Sequence, residues 1–204
     1  MKPNDFDRVA FIYDRLVRLV FGKTIVRAQL YFLHLIPEEA NVLILGGGTG
    51  WLLKELILAK PQATVWYIDA SAKMIARAKE KTENCQQIYF IQGTENDIPA
   101  AIQFNAVITH FYLDLFSEET LPPVILKIKN HLSANAIWLA TDFVKKAWWH
   151  KVLLKMMHLF FRFTSNLQTT MLPDWSEMLQ KHGGKKYGSN FFYGRFIEAA
   201  WYRF

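Results

Sequence analysis

The chain has 204 residues, 51% of them hydrophobic, a single cysteine (Cys85) and a net charge of +6. That length accommodates one domain with a sizeable core, and one cysteine excludes an intrachain disulfide or a cysteine-based zinc site. The opening "MKPNDFDRVAFIYD" has acids where a signal peptide would have its apolar core, and no apolar run reaches about 18 residues, so a reducing, cytoplasmic location is expected.

In chain order, "NVLIL" (41–45) reads as a short buried strand and "WLLKELILAK" (51–60) as a helix closed by Pro61. "ATVWYID" (63–69) is a second strand, and "SAKMIARAKEKT" (71–82) a helix with Ser71 as its N-cap. "QIYFIQG" (87–93), "FNAVITHF" (104–111) and "SANAIWLATDF" (133–143) supply three more strands. A helix over 117–132 is expected to start at Ser117, with Glu118 and Glu119 in the first turn where the helix dipole favours acids. Another is expected near 175–183. Alternating strands and helices predict an α/β, doubly wound, mostly parallel sheet. The ending "KKYGSNFFYGRFIEAAWYRF" (185–204) holds two β-rich stretches separated only by "YGR", too short for a crossover helix, so an antiparallel hairpin is expected there.

The turn "GGGTG" (46–50) joins a buried strand to a helix, which gathers backbone N–H groups and the positive end of a helix dipole at one spot. Gly46, Gly48 and Gly50 permit a tight turn against which a ligand can lie. A dinucleotide fingerprint would need its third glycine at Trp51, and a P-loop would need a Gly-Lys-Ser/Thr ending, so both phosphate readings are weakened. Asp69, 19 residues past Gly50 at the end of the second strand, is placed to accept both hydroxyls of a ribose.

The succession "VLILGGGTG", "VWYIDASAKMIARAKEK", "YFIQGTENDIP" and "FNAVITHFYLDLF" resembles the ordered motifs of class I S-adenosylmethionine-dependent methyltransferases. The opening "FDRVAFIYDRLVRLVFG" is similar to the N-terminal cover of the quinone-biosynthesis-type branch. The resemblance implies a Rossmann-like sheet of seven strands, S-adenosylmethionine as cofactor and S-adenosylhomocysteine as product. It places Gly46, Gly47, Gly48 and Gly50 against the methionine part, with Tyr13 closing over it. Asp69 would hold the ribose, Ala70 and Met74 would pack on the adenine, and Thr94 and Glu95 would lie at the adenine edge. Thr109 and His110 would sit near the sulfonium and the acceptor. Two positions depart from the pattern: Ile44 stands where the family usually has an acid two residues before the first glycine, and Thr94 replaces the acid that commonly follows the third strand's glycine.

Methyl transfer is an in-line displacement, so a general base is needed only when the acceptor arrives protonated. His110 is the first candidate, Asp114 and Tyr112 the next. No histidine has a partner at metal-ligand spacing, and no metal is predicted.

The charge is unevenly spread. Residues 1–142 carry 14 Lys+Arg against 15 Asp+Glu, whereas residues 143–204 carry 10 against 3, so the basic character belongs to the C-terminal third. Residues 144–173 contain no acid; on a helix Lys151, Lys155, His158 and Arg162 would form one stripe beside Trp149, Val152, Leu153, Met156, Phe160 and Phe163. This insert reads as an ordinary amphipathic cover, as a substrate lid with a cationic rim, or as a segment (144–163) that lies on an anionic membrane surface. Nucleic acid is disfavoured because the aromatics have core-like spacing and no recognition motif appears.

The expectation is therefore a single methyltransferase domain over 1–204, with a helical cover at 1–36 and a helical lid at 144–173, acting on a small hydrophobic or aromatic acceptor. A non-catalytic cofactor-binding module of the same fold is the alternative, favoured by Ile44 and Thr94. A nicotinamide-dependent oxidoreductase is a third reading, opposed by Trp51 and the terminal hairpin.

Overall fold

A computed structural model describes residues 21–82, 85, 87–145 and 172–204. Seven strands form one sheet: β1 (Asn41–Leu45), β2 (Thr64–Asp69), β3 (Ile88–Gln92), β4 (Phe104–His110), β5 (Leu132–Phe143), β6 (Lys185–Phe192) and β7 (Ile197–Arg203). Their order is β3-β2-β1-β4-β5-β7-β6, parallel from β3 to β5, with β7 antiparallel to both β5 and β6. The expected doubly wound sheet and closing hairpin are both present.

The last strand lies inside the sheet and β6 takes the edge. Composition explains the exchange. In β7, Ile197, Glu198, Ala199, Ala200 and Tyr202 are all buried, as a strand covered on both faces requires, whereas β6 alternates exposed and half-buried residues from Lys185 onward. Glu198 is the one acid of β7, and it is paired with Lys186 across the hairpin.

Helices cover both faces. On one lie α1 (Thr24–Leu30), α2 (Trp51–Ala59) and α3 (Ala72–Glu80), against a core that includes Val42, Ile44, Val65, Tyr67, Ala106 and Ile108. On the other, α4 (Leu121–Lys129) and α5 (Trp175–Lys181) bury Val124, Ile125, Ile128, Trp175 and Leu179 against Leu43, Val107 and Trp138. The alternation of odd and even strand positions between these two sets is the period-two rule of a strand buried on both sides. Among the described residues, no helix is long and apolar enough to cross a membrane.

One helix boundary differs from expectation. α4 begins at Leu121, not Ser117, so Glu118 and Glu119 precede the helix. Pro122 and Pro123 lack N–H donors and fit only a first helical turn, which sets the start just before them. Ser117 and Thr120 instead bind each other's backbone N–H in a preceding turn, at 2.9 and 3.2 Å. Ser71 does cap α3: its Oγ accepts from the Met74 amide at 3.2 Å. The N-terminal cover falls largely, and the insert almost wholly, outside the described residues.

Replacing Ser71 with alanine is expected to cost about 1 kcal/mol of stability through loss of this cap. A urea unfolding series would show it as a lower midpoint at unchanged slope.

Candidate functional site

The site is built where β1 and β2, paired in parallel from Asn41↔Thr64 to Leu45↔Ile68, end at the same level. Parallel register therefore brings the glycine turn after β1 beside Asp69 at the end of β2. The Gly46 amide donates to the Ile68 carbonyl at 2.9 Å, extending the ladder by one bond. The Gly48 amide then donates to Asp69 Oδ2 at 2.8 Å, while Asp69 Oδ1 accepts the Ser71 amide at 2.9 Å. A carboxylate can accept about four hydrogen bonds, two to each oxygen. The Lys81 ammonium donates to the Thr49 carbonyl at 2.6 Å and ties α3 to the turn.

The glycines of the turn are of two kinds. At Gly46 and Gly50 a Cβ would meet the protein itself, at 2.7 Å from the Tyr112 ring and 2.6 Å from Ala78 Cβ; at Gly47 it would overlap the Tyr67 ring. Of the four, only Gly48, with φ +65°, has nothing within 4 Å among the described residues. The sequence invites a ligand along all four glycines. Close packing of the protein already requires three of them, and the open backbone is at Gly48.

The turn after β3 stands next to Asp69: the Gly93 amide donates to the Asp69 carbonyl at 3.0 Å. Thr94 forms a reciprocal cap with Asp97, whose Oδ2 accepts the Thr94 amide at 2.8 Å. The acid missing at 94 thus has a neighbour three residues on that holds this turn. Glu95 Oε2 accepts the Tyr112 hydroxyl at 2.8 Å, and Asn96 is bonded to Lys127 of α4. Burial first, and the Glu95 charge second, push the Tyr112 hydroxyl well above its usual range, so it remains a proton donor in this bond. Ala70 is half-buried and Met74 is buried at the start of α3. Tyr13 lies outside the described residues.

Beyond β4 the two candidate residues separate. Thr109 and His110 are consecutive on a strand and point to opposite faces. Thr109 is fully buried, and its Oγ1 accepts the Trp138 indole N–H at 2.7 Å on the α4 side. His110 is buried on the α1 side, with no hydrogen-bond partner for either ring nitrogen among the described residues. Burial lowers its pKa to about 3, against a smaller opposing pull from the Gln29 backbone, so the ring is neutral at neutral pH. Phe111 follows with φ +54°, a conformation unfavourable for a bulky residue, and packs on Phe143 at 4.9 Å between ring centroids.

At the end of β5, Asp142 lies beside Asp114 in a pair that the sequence did not disclose. Asp142 Oδ2 accepts the Leu113 and Asp114 amides at 3.0 and 3.1 Å, and Oδ1 accepts the Phe143 amide at 2.8 Å. Asp114 Oδ1 is buried without a partner among the described residues. Burial pushes Asp114 up to about 7; burial and then the Asp114 charge push Asp142 well above the carboxylate range. Tyr67, Lys81 and Asp142 are the site residues that sequence reasoning missed. For Tyr67 a signal existed: it stands two residues before Asp69, and strand alternation puts both on one face.

A cavity of about 420 Å³ opens on the α4/α5 face beside the two ends of the insert, lined by Val144, Leu172, Trp175, Glu118, Lys186 and Glu198 among others. With Asp174 and Glu177 also on its wall, its described lining is richer in acids than in cations, unlike the cationic rim expected from the insert. Among the described residues, no group of three or more His, Cys, Asp and Glu side chains is arranged to hold a metal ion.

A carboxyl whose folded pKa is raised binds more protons folded than unfolded, so its contribution to stability falls as pH rises between about 4 and about 7. Asp114→Asn removes that penalty. The variant is expected to match the wild type near pH 4 and to exceed it by on the order of 1–2 kcal/mol at pH 8, as read from paired thermal melts across pH.

Residues 42–135 match a family model described as a methyltransferase domain. Over 110 residues the chain is 26% identical to a malonyl-[acyl-carrier protein] O-methyltransferase from Halalkalibacterium halodurans, a match spanning 52% of this chain and 40% of that relative. Among solved structures, an S-adenosylmethionine-dependent methyltransferase from Aquifex aeolicus aligns over 100% of this chain and 98% of its own, with TM-score 0.66 and 16% identity. A magnesium protoporphyrin IX methyltransferase from Synechocystis, solved with S-adenosylhomocysteine bound, aligns over 89% and 82%, with TM-score 0.67 and 18% identity. The chain thus carries a methyltransferase-domain match across the glycine turn, Asp69 and His110, on the Rossmann-like fold of S-adenosylmethionine-dependent methyltransferases.

Proposed function

We propose that this protein is an S-adenosylmethionine-dependent methyltransferase that acts on a small hydrophobic or aromatic acceptor. The observation that carries the reading is the junction of Gly48 and Asp69: an open stretch of backbone and a carboxylate, joined at 2.8 Å, at the carboxyl ends of two parallel strands. Asp69 would take the ribose hydroxyls, Gly46 to Gly50 the methionine end, Ala70 and Met74 the adenine face, and Thr94 and Glu95 its edge. The cofactor supplies an electrophilic methyl group, and the chain aligns an acceptor with it. His110, neutral and buried, would accept a hydrogen bond from an acceptor hydroxyl, while the burial that lowers its pKa to about 3 makes it a weak base; Thr109 would contribute through its backbone, since its side chain is held by Trp138.

The same proposal includes one domain over 1–204, an N-terminal cover carrying Tyr13, a lid over 144–173 that borders the 420 Å³ cavity, and a cytoplasmic setting. It also includes the quinone-biosynthesis-type branch, whose resemblance rests on the N-terminal segment. A contact of 144–163 with an anionic membrane surface would suit delivery of a lipophilic acceptor.

A second reading, a cofactor-binding module without turnover, is favoured by Ile44. It is only 2% exposed and packed in the core, so position 44 supplies no carboxylate to the turn.

Calorimetric titration with S-adenosylhomocysteine is expected to give micromolar-scale binding, and Asp69→Ala to weaken it by roughly 10- to 100-fold, the worth of hydrogen bonds to a charged acceptor. Absence of any heat with the wild-type protein would overturn the proposal. Binding without methyl transfer across a broad panel of hydroxyl, amine and carboxylate acceptors would select the second reading.

A further inference from the structure

With Ile44 buried in the core, no acid lies under the first glycine, yet the turn is held. Besides Asp69 and Lys81, the turn is held by Tyr67, on β2. Its hydroxyl donates to the Gly48 carbonyl at 2.8 Å. Its ring occupies the place where a Cβ on Gly47 would stand. The side chain is 1% exposed and packed against Phe90, with ring centroids 5.4 Å apart, which limits it to this position.

Two residues on the same face of β2 thereby hold both polar groups of Gly48: Asp69 takes the amide and Tyr67 binds the carbonyl. Gly48 is also the turn glycine with open space around it among the described residues. We propose that Tyr67 is a positioning residue for the cofactor turn, fixing Gly48 from below with a neutral hydroxyl where a carboxylate at position 44 would act, and that Gly47 is its obligatory size partner. This inference rests on the reading that the turn seats S-adenosylmethionine.

The pair makes two separable demands. The hydroxyl fixes the orientation of the Gly48 peptide, so that the amide faces Asp69 and the open side faces the cofactor. The ring excludes any side chain at 47, since a tyrosine locked by Phe90 cannot yield to an added methyl group. A smaller residue at 67 would tolerate alanine at 47 but would lose the hydroxyl contact.

The test is a double-mutant cycle read by S-adenosylhomocysteine affinity, with hydrogen exchange of the Gly48 to Trp51 amides as a readout free of ligand. Tyr67→Phe keeps the ring and should fold; it is expected to weaken binding about three- to tenfold, the worth of one neutral hydrogen bond, and to speed exchange in the turn. Gly47→Ala is expected to weaken binding more than about tenfold with tyrosine at 67, and less than about threefold in the Tyr67→Val background. Wild-type affinity and exchange in Tyr67→Phe, or an equal cost of Gly47→Ala in both backgrounds, would overturn the inference while leaving cofactor binding intact. No binding by the wild type would remove the proposed function and the inference with it.

Discussion

The hydrogen bond from the Gly48 amide to Asp69 joins the turn after β1 to the end of β2, and the site depends on it. It forms because five consecutive residue pairs hold β1 and β2 in parallel register, so the two strands end together. From that junction the Asp69 carbonyl reaches the Gly93 amide after β3, and the Asp69 carboxylate reaches Ser71 at the head of α3. One aspartate thus sets the relative positions of three successive strand ends. Ligand sites at the carboxyl ends of parallel strands follow from this geometry, because backbone amides and a charged acceptor converge there.

The glycine turn is shaped by the protein before any cofactor arrives. Tyr112 presses on Gly46, Tyr67 on Gly47 and Ala78 on Gly50, from different elements of the fold. Tyr112 also reaches across to Glu95, so the first and third strand ends are linked through one aromatic ring. Such a turn has few alternative conformations, which lowers the ordering cost of binding.

The far side of the site has a different electrostatic character. At the ends of β4 and β5 stand a neutral buried histidine and two buried carboxyls whose pKa values are raised, and Phe111, Phe143 and Phe196 pack together there. Burial accounts for the largest part of each shift. An aromatic, weakly solvated environment of this kind amplifies the few polar contacts made inside it.

Much of the fold was legible because it is written locally. The apolar runs of β1, β2 and β4, the Ser71 cap and the short "YGR" spacer each reveal an element within a few residues. The spacing of Asp69 from the turn revealed their meeting, since a βαβ unit has one favoured geometry. The start of α4 was misjudged because the prolines at 122 and 123 outweigh a favourable pair of acids. Other features could not be read from such signals: the insertion of β7 between β5 and β6, the Asp114–Asp142 pair, the Trp138 bond to Thr109, and Tyr67 beneath Gly48. The amino-acid sequence by itself determined an α/β sheet with a glycine turn after its first strand and an acid at the end of its second. Only the tertiary structure decided which glycines face the protein and which face open space, because that depends on side chains about 20 to 65 residues away, brought together by strand pairing that no local period records.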